Sequence, residues 1–296
     1  MQLLYLPWWF FKNRFLGQRK PLQTVLFISN KCNLRCKHCN VVQDEKTITK
    51  PIEQINEELI YSYRLGARFV DFEGGEPCIW QDREYKLNDL ILLAKEIGFF
   101  STTITTNAQL PFHDTLADSI WVSMDGLYHY HDQIRGEGAF EKLEKHIAMA
   151  NHSDLNVNMV INNLNYENVT LAVQYVKQHP GIKSISLNFH TPYPGSESLS
   201  LPWEKRIAVI DEIIALKKQH YPIMNSVSGL KLMKKHHFKR YCWISNFILP
   251  DGTRLPECPG KTQGICDQCG LCMAGEMTSV FHFKLDTIWA GMRLRM

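Results

Sequence analysis

Short β-rich apolar runs at Thr24 to Ser29, Phe69 to Glu73, Ser101 to Thr105, Ile120 to Met124, Asn156 to Ile161 and Ser184 to Phe189 punctuate the chain. Between them, apolar residues return every three or four positions: Ile52, Ile55, Leu59 and Tyr63; Phe140, Leu143 and Ile147; Val169, Val173 and Val176; Trp203, Ile207, Ile210 and Ile214. The first rhythm predicts strands and the second helices. Strands that alternate with helices pair in parallel through right-handed crossovers, so six such units predict an α/β fold, either a doubly wound sheet or an open barrel. In both, chemistry gathers at the C-terminal ends of the strands.

After Gln219 the rhythm breaks. A basic segment from Lys231 to Arg240 reads as a solvated helix face or as an anion or leader-peptide site, and five cysteines follow within 31 residues. Among them the pair Asp251-Gly252 predicts a tight hairpin turn, because both residues readily take positive φ. These changes divide the chain into an aromatic and basic segment (1–21), a main domain (22–220) and a small cysteine-rich domain (221–296).

The 296 residues carry a formal charge of +3, which excludes a basic nucleic-acid arm or an acidic tail as the defining feature. Nine cysteines are an odd number, so metal binding or catalysis is a better reading than a disulfide framework. The apolar stretch Leu3 to Phe11, interrupted by Pro7, is far short of the roughly 20 residues that cross a bilayer. Lys12, Arg14, Arg19 and Lys20 follow that stretch instead of preceding it, unlike the charges of a signal peptide. A cytoplasmic protein is expected. The same segment fits either an anchor at the inner face of a membrane or aromatic packing on the barrel.

Cys32, Cys36 and Cys39 form a C-x3-C-x2-C array directly after the first strand. Chance would place three cysteines at a fixed spacing in roughly 1 chain of this composition in 100. Three thiolates suit an iron-sulfur cluster with one iron open to another ligand; zinc with a distant fourth ligand is the alternative. The second strand runs out into Gly74-Gly75-Glu76-Pro77, where the glycines let a ligand approach the backbone, Pro77 fixes the exit and Glu76 offers an anion to an ammonium group. Cys78 reads as a small buried hydrophobe.

In this order the motifs resemble the radical S-adenosylmethionine (radical SAM) superfamily. Cys32-Asn33-Leu34-Arg35-Cys36-Lys37-His38-Cys39 is similar to its cluster loop, with the aromatic ring of His38 before the last cysteine. Gly74, Gly75, Glu76 and Pro77 match the segment that binds the cofactor's amino group. Asn107, in Thr105-Thr106-Asn107, and Ser123 and Asp125, in Ser123-Met124-Asp125-Gly126, fall where the family places ribose-facing groups. Arg135, within His131 to Gly136, is the expected partner of the cofactor carboxylate. Ala108 departs from the glycine that many relatives carry. The resemblance covers Leu22 to Pro194 and implies a partial (β/α)6 TIM barrel. It also implies a 4Fe-4S cluster on Cys32, Cys36 and Cys39, and S-adenosylmethionine cleaved by one electron to a 5′-deoxyadenosyl radical. The electron would come from a donor such as flavodoxin or ferredoxin.

Cys242, Cys258, Cys266, Cys269 and Cys272 resemble the SPASM and twitch domains of that superfamily, which implies a second 4Fe-4S cluster in a small C-terminal iron-sulfur domain. A structural zinc ribbon is the alternative. The opening Phe11 to Lys20 and the cysteine-rich tail also resemble the adenosylhopene-transferase branch, which acts on a polycyclic lipid. Two substrate classes therefore compete, peptide and lipid or isoprenoid, beside a third reading as a non-catalytic iron-sulfur redox or scaffold protein. Peptide maturases often add an N-terminal winged-helix module, and only about 20 residues precede the first strand here, so such a module would be a separate protein.

Overall fold

The computed structural model describes residues 2–41 and 46–295. The chain runs through α1 (Gln2–Phe15), β1 (Gln23–Phe27), α2 (Ile52–Leu65), β2 (Phe69–Glu73), a small hairpin of β3 (Gln81–Asp82) and β4 (Tyr85–Lys86), α3 (Leu87–Ile97), β5 (Ser101–Thr106) and β6 (Ser119–Ser123). It continues through α4 (His129–Arg135), α5 (Ala139–Met149), β7 (Leu155–Ile161), α6 (Val169–Gln178), β8 (Ser184–Phe189), α7 (Trp203–Lys218) and α8 (Val227–Met233). The tail holds β9 (Ser245–Ile248), β10 (Arg254–Leu255), α9 (Pro259–Thr262), α10 (Met273–Phe281) and α11 (Leu285–Arg295).

Eight strands form one sheet in the order β10-β9-β1-β2-β5-β6-β7-β8, parallel throughout except for β10. The six strands expected from the sequence stand in chain order with no reversal, which selects the partial barrel over the doubly wound sheet, whose order turns back at a switch point. The hairpin expected at Asp251-Gly252 is present, with Gly252 at φ 86, but β9 continues the barrel sheet by pairing in parallel with β1. The free edge of β8 is covered by residues 222–225, where Ile185 donates to the carbonyl of Pro222 and accepts from Met224.

Alternation along each strand sends one set of side chains to the helices and the other into the lumen. Leu26, Phe72, Ile104, Val122, Val157 and Leu187 are buried against Ile55, Leu59, Ile91, Leu143 and Val173 of the surrounding helices. On the lumen side the strands are polar: Thr105 donates to Asp71, and Asn188 donates to Asn158 at 2.8 Å. A sheet with water-loving side chains inside leaves its interior to a ligand.

Two helices differ from expectation in an informative way. On α7 the buried stripe is Arg206, Val209, Ile210, Ile213 and Ile214, while Trp203 and Ile207 are half-buried. Helix α8 stops at Met233, so the basic segment is helical only at its start. Continuing it would set Lys234 and Lys235 one turn above Lys231, like charge on like, and Lys234 instead pairs with Asp211 on α7. Helix α8 packs closely on α10, because a Cβ on Gly275 would lie 2.5 Å from the carbonyl oxygen of Gly229. Among the described residues, no helix is long and apolar enough to cross a membrane.

Candidate active site

The loop after β1 is fixed at its root on both sides. Gly75 and Glu76 donate their backbone N–H groups to the carbonyls of Ser29 and Lys31, each at 2.9 Å. A Cβ on Gly74 would lie 2.5 Å from the Ser29 oxygen, and one on Gly75 would lie 2.1 Å from the Lys31 oxygen. At these two glycines the cysteine loop approaches the end of β2 too closely for any side chain. From the other side, Lys50 donates to the carbonyl of Ile28, and the Asn30 side chain bridges Lys46 and Ile48.

The motif residues at the ends of β2 and β5 lock together. Glu76 is 1 % exposed; its carboxylate accepts from the backbone of Cys78 (3.0 Å), the hydroxyl of Thr106 (2.8 Å) and the backbone of Asn107 (2.7 Å). Burial pushes its pKa up, and these donors oppose that rise. Asn107 in turn donates to Asn33 at 2.8 Å and reaches the Cys32 sulfur at 3.6 Å. Pro77 opens a short 3-10 turn behind this knot, and Cys78 lies half-buried beside Thr106.

A second knot joins the end of β6 to the same loop. Asp125, fully buried, accepts from the Arg135 Nε at 2.7 Å and from the backbone of Val160 at 2.9 Å. Its carboxylate also lies 3.6 Å from the His38 Nε2. Arg135 extends to the Cys36 sulfur at 3.8 Å, and the backbone of Lys37 donates to the carbonyl of Ile134. Burial holds His38 down at about 4 and His131 at about 3, so both rings are neutral near pH 7. Ser123 ends β6 in register with Asn158.

All nine cysteines are free thiols. Burial pushes the Cys36 thiol up to about 11, against the pull of Arg135. The donor set at the loop is three soft thiols, two of them touched by polar side chains, beside an unpartnered buried nitrogen, Nδ1 of His38. That set fits an iron-sulfur cluster. Among the described residues no three His, Cys, Asp or Glu converge as they would around a single metal ion. A four-iron cluster is several ångström across and takes its thiolates farther apart.

Among the tail cysteines, Cys272 is the one that is buried. The thiols of Cys258, Cys269 and Cys266 all face Cys242, whose pKa burial and these neighbours push up to about 12. The same three act on Tyr193, pushed to about 12 mainly by burial, and Tyr193 bonds Asn40 at the end of the front loop. Cys272 is 1 % exposed and lies in the main apolar core, with its backbone N–H on Asn188. Gly270 pins this turn to β8: its carbonyl accepts from Phe189, and a Cβ there would sit 1.8 Å from the Phe189 oxygen. A cavity opens beside the tail turn, lined by Phe189, His190, Trp203, Arg206, His236 and Asp267.

Several residues of this site carry no motif. Asn165 and Asn168 hold the turn after β6 through the carbonyl of Asp125 and the backbone N–H of Leu127. The signal that marks them is four asparagines within residues 162–168, directly after a strand end. Arg206 occupies a buried position of α7; its guanidinium lies between Phe189 and Trp203 and donates to the carbonyl of Cys269.

A parallel partial barrel with three free thiols in the loop after its first strand defines a class of iron-sulfur enzymes. A model of the radical SAM superfamily matches residues 26–176, just over half of the chain, and the chain belongs to that superfamily. Solved structures agree on the fold. SuiB of Streptococcus suis, bound to its precursor peptide SuiA, superposes with a TM-score of 0.64 at 17% identity, covering 88% of this chain and 66% of that one. The enzyme anSMEcpe with bound AdoMet and a peptide gives 0.59 at 16% identity, covering 81% and 74%. Methylornithine synthase (PylB) gives 0.54 at 16% identity, covering 82% and 76%. The chain thus spans just under two thirds of SuiB. A search of the curated proteins finds no match.

Proposed function

We propose that this chain is a radical SAM enzyme that modifies a peptide. Cys32, Cys36 and Cys39 would hold a 4Fe-4S cluster, and S-adenosylmethionine would bind beside it over the strand ends. The observation that carries the reading is the placement of the three thiols over those ends, with Asn107 reaching Cys32 and Arg135 reaching Cys36. When bound and reduced, the cluster and cofactor supply the one-electron cleavage of a sulfur–carbon bond. The protein's own residues position and shield. Asp125 orients Arg135, His38 stays neutral against the loop, and Glu76 holds the ends of β2 and β5 together. Three protein donors hold the Glu76 carboxylate in place, and its Oε2 keeps acceptor capacity for a ligand ammonium.

A second cluster on Cys242, Cys258, Cys266 and Cys269 completes the reading, with Cys272 serving the core; the burial of Cys272 in the apolar core, and the influence of the other three thiols on Cys242, support this choice, while Cys272 is coupled to Cys269. A peptide substrate is favoured by the peptides bound to SuiB and anSMEcpe. A lipid substrate is the second reading, favoured by the exposed aromatic face of α1. A reducing donor such as flavodoxin or ferredoxin would supply the electron, and the protein would work in the cytoplasm, in reversible contact with the inner face of the membrane.

Anaerobically reconstituted protein is expected to convert S-adenosylmethionine to 5′-deoxyadenosine under dithionite, and replacing Cys32, Cys36 and Cys39 together by alanine should abolish the conversion. Cleavage by the triple variant at the parent's rate would sink the assignment; no cleavage by any form would favour the redox or scaffold reading. The same triple variant should retain about four irons per chain. Adding Cys242→Ala or Cys266→Ala should remove these irons, whereas adding Cys272→Ala should leave them. Zinc at about one per chain in place of iron would instead show a ribbon.

A further inference from the structure

Deepening the membrane contact proposed above, we infer that α1 and the turn between α10 and α11 form one docking platform for an anionic lipid surface. Helix α1 is bolted down along one side. Trp9 is 5 % exposed and packs on Phe281 and Trp243; Asn13 closes onto the backbone of Lys20, and the Tyr5 hydroxyl donates to the carbonyl of Gly66. The opposite side presents Leu4, Trp8, Phe11, Phe15 and Leu16, each between 44 and 82 % exposed.

These rings make a continuous chain that crosses to the far end of the sequence. Trp8 stacks on Phe11, Phe11 meets Phe15, and Phe15 meets Phe283, with centroids 5.4 to 6.3 Å apart. Phe283 is half-exposed and sits at φ 57, a left-handed backbone that a bulky side chain adopts only at a cost. The strained turn holds its ring between Phe10 and Phe15, in line with the outer face of α1. Leu285, two residues on, is 80 % exposed. An apolar surface assembled from both ends of the chain is a built feature, unlike scattered exposed residues.

Charge identifies the occupant. Residues 1–20, which hold α1, contain four Lys and Arg and no Asp or Glu. Lys12 lies over the Trp8 ring, and Arg14 lies over both Phe15 and Phe283. Aromatic rings interleaved with long cations suit the boundary between acyl chains and anionic headgroups, where the rings insert and the cations reach outward. A second copy of this chain would bring two wholly cationic segments face to face, and protein interfaces are depleted in lysine at their cores.

The test is co-sedimentation with vesicles of phosphatidylglycerol and phosphatidylcholine, against phosphatidylcholine alone. The parent should bind the anionic vesicles at least about tenfold more tightly than the neutral ones, and lose that margin in about 0.5 M salt. Trp8→Ser, Phe11→Ser and Phe15→Ser together should lower anionic binding about tenfold or more. Lys12→Glu with Arg19→Glu, which leaves the rings in place, should lower it too. Circular dichroism and S-adenosylmethionine cleavage, both expected unchanged, separate a failure of the platform from a failure of the fold or the enzyme assignment. Equal sedimentation of parent and ring variant would overturn the proposal. So would binding indifferent to lipid charge, or a dimer abolished by the ring variant without vesicle binding.

Discussion

Replacing Asp125 by asparagine should lower the midpoint of thermal unfolding by on the order of 10 °C. The parent carboxylate is fully buried; burial pushes its pKa up, but Arg135, the two neighbouring histidines and the Val160 N–H together outweigh that and hold it below the usual carboxylate range. Asparagine keeps an acceptor for Val160 but no charge for Arg135, which is itself only 8 % exposed. Stranding one member of a buried ion pair costs about 3–5 kcal/mol, more than the pair itself contributes. The double variant Asp125→Leu with Arg135→Met should therefore recover most of the loss, because no charge is left buried alone. Thermal unfolding of the two singles and the double checks this; an Asp125→Asn variant melting within about 2 °C of the parent would contradict it.

The variant Glu276→Gln should stabilise the protein at pH 8 and leave it nearly unchanged at pH 5. Glu276 sits between α8 and α10, where burial pushes its pKa up to about 7 against the donors of Ser226. A carboxyl whose folded pKa lies above its unfolded value contributes stability that is fully present below the unfolded pKa and lost as pH rises through the folded one. Here that window runs from 4.5 to about 7 and corresponds to about 3 kcal/mol. Glutamine keeps the oxygen that accepts from the backbone of Ser226 at 2.8 Å and never ionises. Urea unfolding at both pH values is the measurement, and an equal difference at pH 5 and pH 8 would refute the assignment of the titration to this residue.

The barrel strands and the front motif were legible because both are local. Alternation and period identify Val70, Phe72, Leu143 and Val173 as core from their neighbours in sequence, and the C-x3-C-x2-C array marks itself by spacing as a thiol site, though not which metal it takes. What could not be read depends on partners far along the chain. Nothing near Glu76 shows that its carboxylate closes on Thr106 and Asn107, 30 and 31 residues away. Cys272 follows Cys269 at a ligand-like spacing, yet the start of α10 carries it into the core. Phe281 looks like the end of a tail helix until Trp9 and Tyr241 are packed on it.

The parallel pairing of β1 with β9 has a consequence for how the protein is made. The first barrel strand meets its second neighbour only when residues 245–248 have been synthesised, and Thr24 waits for Asn246, which donates to its hydroxyl across 222 positions. Until then β1 is a bare hydrogen-bonding edge on a nascent sheet, the kind of edge that recruits foreign strands. A fragment ending with the matched superfamily segment at residue 176 would keep that edge permanently. The cysteine-rich tail therefore closes the fold of the barrel, and a ribosome stalled before β9 would expose a sheet in need of a chaperone.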